Sequence, residues 1–330
     1  MQLYQHFQHP IIIMDLNKKE YIDKIRTLAR EKKAVIFAHY YTRQEIQEIA
    51  DFIGDSLALA QQATRVDSDM LVMCGVHFMG ETMKILCPDK KVLIPDMNAG
   101  CSLADSCKAE DLKQFIEEHS QGQRPIVVSY VNTSADVKAL TDVVVTSSNA
   151  KHIVDQLPKD AKIIFGPDYN LGSYINSVTG RQMILWNGAC HVHSRFSLEA
   201  LLQLKKENPG VEVLAHPECK APILAQSDVI GSTKALLEHT IKSPAKRFII
   251  ATESGILFEM QRACPDKEFI PVPPEMTEGV GCSCNECEYM RMNTLEKVYQ
   301  CLSDEQPEIQ VDEETAKKAI SSIQRMLQMS

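Results

Sequence analysis

Three cysteines, Cys101, Cys190 and Cys287, stand in loops of small and polar residues: Asn98-Ala-Gly-Cys101-Ser-Leu-Ala-Asp105, Trp186-Asn-Gly-Ala-Cys190-His-Val-His193 and Gly281-Cys-Ser-Cys-Asn-Glu-Cys287-Glu-Tyr-Met290. Thiolates are soft ligands for zinc or for an iron–sulfur cluster. A [4Fe–4S] cluster usually takes four of them, so three gathered at one point would leave one iron open. Such an iron is a Lewis acid that binds hydroxyl or carboxylate and assists loss of water. A second set of reactive side chains closes three short apolar runs: Ala34-Val-Ile-Phe-Ala-His39-Tyr-Tyr41, Pro125-Ile-Val-Val-Ser-Tyr130-Val-Asn132 and Val211-Glu-Val-Leu-Ala-His216-Pro-Glu218. Imidazole, phenol and carboxylate groups move protons when suitably placed.

These runs superimpose without a gap, and the register continues beyond them. Twelve residues after His39, Tyr130 and His216 come Asp51, Asp142 and Asp228, and five residues further on stand Ser56, Ser147 and Thr233. Another apolar run then ends at Gly75, Gly166 and Thr252, each 24 residues after its aspartate. One of the three cysteines follows each of these positions. The chain therefore reads as three homologous units, each running strand, helix, short strand, helix, strand, helix, which is the alternation of a parallel sheet covered by helices. The apolar runs are continuous, as expected when both faces of a sheet are buried. We divide the chain into 1–110 with an N-terminal helix, 111–196, 197–285, and a C-terminal helical segment 286–330 docked on the body.

In such sheets ligands bind beyond the carboxyl ends of the strands. Units related by a pseudo-threefold axis would bring those edges to one central site. Ser56, Ser147 and Thr233 fall near a helix start, where a hydroxyl caps the helix and free N–H groups hold a carboxylate or phosphate. The three aspartates read as turn formers. Cys74, Cys87, Cys107, Cys219, Cys264 and Cys301 read as core residues. Leu16 to Lys33 reads as a charged, solvated helix, and Asp312 to Leu327 as an amphipathic one with Ala319, Ile323 and Met326 on its apolar face.

Composition excludes several classes. With 330 residues, 35 Lys and Arg, 44 Asp and Glu and a net charge of -9, the chain lacks the basic balance of a nucleic-acid binder. No apolar run approaches a membrane span, and no targeting signal precedes the first unit, so we expect a cytoplasmic protein with no membrane partner. Eleven cysteines in a reducing compartment point to metal binding, catalysis or burial rather than disulfides. Nothing in the sequence speaks against a homodimer. An alternative is a structural zinc site built from Cys282, Cys284 and Cys287 with Cys264 or Cys301, which leaves Cys101 and Cys190 incidental.

The chain resembles the quinolinate synthase family through Ala38-His-Tyr-Tyr41, Gly54-Asp-Ser56, Tyr130-Val-Asn-Thr-Ser134, Thr146-Ser-Ser-Asn149, His216-Pro-Glu-Cys219, Gly231-Ser-Thr233, the loops of Cys101 and Cys190, and Cys287-Glu-Tyr-Met-Arg-Met-Asn-Thr-Leu-Glu-Lys297. These stretches span roughly residues 34 to 297. The resemblance implies three αβα units around a central site and a [4Fe–4S] cluster held by Cys101, Cys190 and Cys287. The implied reaction condenses iminoaspartate with dihydroxyacetone phosphate to quinolinate, phosphate and water, and links the chain to the enzyme that supplies iminoaspartate. By the same resemblance His39, Tyr41, Tyr130 and Glu218 become the proton-transfer residues. Ser56, Asn132, Ser147, His193, His216, Ser232 and Thr233 then join them in holding substrate. Some relatives carry two further cysteines at two-residue separations in the third loop, where this chain has Cys282-Ser-Cys284-Asn-Glu-Cys287. Cys287 is the ligand carried over because the matching Glu-Tyr-Met-Arg segment follows it directly.

Overall fold

The computed structural model describes residues 9–275 and 285–330, so Cys282 and Cys284 lie outside the described residues. After a helix, His9–Glu31, three successive stretches of chain each build one parallel sheet. The first holds β1 (Ala34–His39), β2 (Phe52–Gly54), β3 (Met70–Cys74) and β4 (Lys91–Leu93). The second holds β5 (Ile126–Tyr130), β6 (Val143–Val145), β7 (Ile163–Gly166) and β8 (Ile184–Leu185), and the third β9 (Glu212–Ala215), β10 (Val229–Ile230), β11 (Arg247–Ala251) and β12 (Glu268–Pro271). Strand order is the same in all three: β2-β1-β3-β4, β6-β5-β7-β8 and β10-β9-β11-β12.

Each sheet thus has four strands where the repeat marks three. The extra strand sits at an edge, pairs on one side only and runs for two to four residues, too brief for its apolar pattern to stand out. The central strands are buried on both faces, which explains their unbroken apolar sequence. Phe37, Met73, Val128, Phe165, Leu214 and Phe248 join one core shared by the three units. Their alternating neighbours face separate outer cores, with Ile36 and Val72 in one, Val127 and Ile164 in another, and Val213 and Ile249 in the third.

The repeated aspartates hold the short strands in place. Asp51 Oδ2 accepts from the Ile36 N–H at 2.8 Å, Asp142 Oδ2 from Val127 at 2.7 Å, and Asp228 Oδ2 from Val213 at 2.8 Å. In each case the aspartate N–H returns a bond to the carbonyl of the same strand residue. The side chain so satisfies a donor at the strand start that no ladder partner reaches.

Two expectations change. The helix His9–Glu31 is not solvated all round, because Ile25 is fully buried and Tyr21 meets Tyr299 edge-on at 5.9 Å. Its partner, the helix Leu295–Asp304, comes from the far end of the chain, which local periodicity cannot reveal. The capping residues of two helices also stand one place earlier than expected. Asp55 accepts from Ala58 N, and Ser232 from Ala235 N, leaving Ser56 and Thr233 as the first helical residues. The C-terminal helix Glu313–Met329 buries Ala319, Ile323 and Met326, and Ser322 Oγ donates to the Lys138 carbonyl of the second unit.

Candidate active site

A cavity of about 740 Å3, its mouth included, lies beyond the carboxyl end of the first strand of every sheet, with the ends of β3 and β11 beside it. The crevice between those strands is where strand order reverses, the usual ligand position in an open α/β sheet. His39, Tyr41, Ser56 and Cys101 come from the first unit. Tyr130, Asn132, Ser147, Cys190 and His193 come from the second, and His216, Glu218, Thr233 and Cys287 complete the wall. Of the cluster, proton-transfer and substrate residues that the resemblance implies, Ser232 alone is not on this wall; its hydroxyl is committed to its helix cap.

The polar wall is a connected network. Glu218 Oε2 lies 2.8 Å from His193 Nδ1 and 3.3 Å from His216 Nδ1. From there, His193 Nε2 meets Thr252 Oγ1 at 3.0 Å, Thr252 meets the Tyr41 hydroxyl at 2.8 Å, and Tyr41 meets Thr233 Oγ1 at 2.7 Å. His216 Nε2 reaches Ser147 Oγ at 3.1 Å. His39 Nδ1 accepts from the Tyr41 N–H at 3.1 Å, which leaves the proton of a neutral ring on Nε2.

Charge in the cavity is set mainly by exclusion of water. Burial, reinforced by His216, drops His39 to about 3, so the ring is neutral at physiological pH. Burial pushes Tyr41 and Tyr130 well up, keeping both phenols protonated as donors. For Glu218 burial works against ionisation, but the imidazoles of His193 and His216 outweigh it and hold the carboxyl below its usual range. Among the described residues the wall carries no lysine or arginine. To an anionic ligand the described wall offers hydroxyls, imidazoles and the N–H groups at the starts of the helices Ser56–Ala63 and Thr233–Lys242.

The cysteines are ordered by residues that no motif announced. Asp168 Oδ2 accepts the Cys190 N–H at 3.1 Å, and Glu253 Oε1 accepts the Cys287 N–H at 3.0 Å. In the first unit the His77 N–H donates to the Ala99 carbonyl at 2.7 Å. All three holders follow the turn after β3, β7 or β11, one or two places beyond Gly75, Gly166 and Thr252. That repeat position was the available signal. Gly188 has no room for a side chain, since a Cβ there would lie 2.6 Å from the Pro167 carbonyl and 2.5 Å from Ser106 Oγ.

Burial raises Cys101 to about 11 and Cys287 to about 12, and lifts Cys190 well above the usual thiol range. Thiols so buried lose their protons to a bound metal rather than to water, and three of them on one wall fit a cluster with one iron left for a ligand. Cys190, His193 and Glu218 also bring a sulfur, a nitrogen and an oxygen within 4.8 Å of one another. The remaining described cysteines, Cys74, Cys87, Cys107, Cys219, Cys264 and Cys301, are buried away from the cavity.

Comparison with known proteins matches residues 23–328 to the family model described as Quinolinate synthetase A protein. Proteins named quinolinate synthase are similar along nearly the whole chain. That of Synechococcus sp. is 52% identical over 306 residues, 93% of this chain and 94% of the relative. That of Microcystis aeruginosa is 53% identical over 306 residues, again 93% and 94%. That of Chloroherpeton thalassium is 49% identical over 317 residues, 96% and 97%.

Proposed function

This chain belongs to the quinolinate synthase family, and from that premise we propose that it condenses iminoaspartate with dihydroxyacetone phosphate to quinolinate, phosphate and water. The reading includes a [4Fe–4S] cluster held by Cys101, Cys190 and Cys287, whose open iron supplies Lewis acidity for loss of water. The observation that carries it is the meeting of Cys101 from the first unit, Cys190 from the second and Cys287, just after the third, on the wall that also bears His39, Tyr41, Tyr130 and Glu218.

The side chains divide the work by their chemistry. Glu218 and His193 form a buried acid–base pair, and the hydroxyls of Thr252, Tyr41 and Thr233 extend it as one hydrogen-bonded line along which a proton can be held or moved. Neutral His39 presents an N–H donor, and Tyr130 a second donor, to carbonyl or carboxylate oxygen. Asn132, Ser56, Ser147, His216 and Thr233 offer neutral donors to the carboxylates and the phosphate. Ser232 acts by fixing the helix start that presents Thr233. Exclusion of water from so enclosed a site strengthens each of these contacts.

We place the reaction in the cytoplasm, beside whichever enzyme supplies iminoaspartate. Among the described residues no helix is long and apolar enough to cross a membrane. The test is anaerobic reconstitution followed by assay: about four iron and four sulfide per chain are expected, with quinolinate formed from the two substrates. Colourless protein holding one zinc would instead favour a mononuclear site at Cys190, His193 and Glu218.

A further inference from the structure

We propose that Ser102, His191 and Glu288 form a clasp that locks the three cysteine loops to one another at the mouth of the cavity. Ser102 Oγ lies 2.6 Å from His191 Nδ1, and His191 Nε2 lies 2.9 Å from Glu288 Oε2. Each of the three directly follows one of the cysteines: Cys101-Ser102, Cys190-His191 and Cys287-Glu288. One imidazole thus bridges the other two loops by both of its nitrogens, joining the first loop to the third through the second.

The surroundings support a joint rather than an incidental contact. The Arg195 Nε–H donates to the His191 carbonyl at 2.8 Å, fixing the backbone that carries the ring. Tyr289, next to Glu288, meets the His191 ring edge-on at 6.1 Å and also lies against Gly100, where a Cβ would come within 3.7 Å of it. Ser102, His191 and Tyr289 all line the cavity, whereas Glu288 is exposed outside it. The clasp therefore crosses from the inner wall to solvent. Loops tied this way bring their sulfurs to a common place before any metal arrives, which lowers the ordering cost of binding.

The inference rests on the proposed role of the three cysteines, and its test is read on metal-free protein so that the two can fail separately. In that protein, reduced and folded, iodoacetamide alkylation of Cys101, Cys190 and Cys287 is followed peptide by peptide, with buried Cys219 and Cys301 as controls. Ser102→Ala, His191→Phe and Glu288→Ala should each speed alkylation at all three cysteines by roughly five- to tenfold, the factor that one or two net hydrogen bonds supply. Ser102→Thr, which keeps the hydroxyl, should restore the slow rate. Unchanged rates, or acceleration confined to the cysteine beside the substituted residue, would overturn the clasp. If His191→Phe accelerates Cys219 and Cys301 as well, the half-buried Ser102 and exposed Glu288 variants decide by the same criteria. Absence of iron from reconstituted wild type would count against the ligand set alone.

Discussion

The phenol oxygen of Tyr41 lies 2.7 Å from the Thr233 hydroxyl, so a residue just beyond β1 of the first unit is bonded to the opening turn of a helix in the third. The close approach of the two units is built into the backbone at Gly255, where a Cβ would lie 2.7 Å from the Tyr41 Cα. The third unit therefore contributes both the hydroxyls that hold this phenol and the carboxylate at the far end of the same hydrogen-bonded line.

Removing only that oxygen tests the line. Tyr41→Phe should lower kcat/KM for quinolinate formation by about 10²-fold, the lower end of what a placed proton-transfer group contributes, while iron content stays at the wild-type level. Its stability cost should be about 1 kcal/mol, because Thr233 and Thr252 lose a shared partner. Wild-type kinetics in this variant would remove Tyr41 from the proposed chemistry.

Glu218 carries a different signature. Its Oε2 serves two imidazoles, yet its buried Oε1 has no hydrogen-bond partner among the described residues. A buried oxygen left so costs about 1–3 kcal/mol, which suits a group kept for a ligand. Glu218→Gln preserves the shape but removes the charge, and should reduce turnover by roughly 10²- to 10⁴-fold with iron retained. Near-normal turnover measured in iron-replete protein would assign Glu218 to structure only.

Substitution of cysteines tests the proposed ligand set against the core cysteines. Cys101→Ala, Cys190→Ala and Cys287→Ala should each abolish iron retention after anaerobic reconstitution, whereas Cys219→Ala, whose buried thiol donates to the Ala251 carbonyl away from the cavity, should keep it. Elemental analysis decides, and iron retained by Cys190→Ala would break the ligand set.

Much of this was legible in the chain because the threefold repeat carries long-range information that local patterns lack. Aligning His39, Tyr130 and His216 located three strand ends, and the αβα architecture follows from the spacing to Asp51, Asp142 and Asp228. The fourth strands escaped because an edge pair of two to four residues leaves little periodicity. Thr252, Asp168 and Glu253 escaped for another reason: they act on partners such as Tyr41, Cys190 and Cys287 that only folding brings near. The clasp residues sat in plain view beside their cysteines, but nothing in the sequence says that a serine, a histidine and a glutamate from three loops share hydrogen bonds.

The aspartate clamps predict a purely structural effect. Asp228→Ala leaves the Val213 N–H without its acceptor at the start of β9, remote from the strand end that carries His216. A loss of about 1–2 kcal/mol is expected, read as a lower denaturation midpoint with kcat unchanged. A variant as stable as wild type would show that the repeated aspartate is dispensable for folding.

Lys138 predicts how stability changes with pH. Its ammonium is fully buried, donates to the Val131 carbonyl at 2.9 Å and to that of Thr133, and lies 5.4 Å from the centre of the Phe78 ring. Burial lowers it to about 8, against the opposing influence of Glu81 and Cys101. In the unfolded chain the same group titrates near ~10.4. Between these values the unfolded state binds more protons than the folded one, so this residue makes stability rise with pH across the window. The gain is complete above the unfolded value and is lost as pH falls through about 8. Lys138→Met lacks this dependence while keeping an apolar stem of similar length. Denaturation midpoints compared at pH 8 and pH 10 should therefore show wild type gaining on the variant, by up to about 3 kcal/mol over the full window. Parallel pH profiles for the two proteins would mean that Lys138 keeps its ordinary affinity for the proton despite its burial.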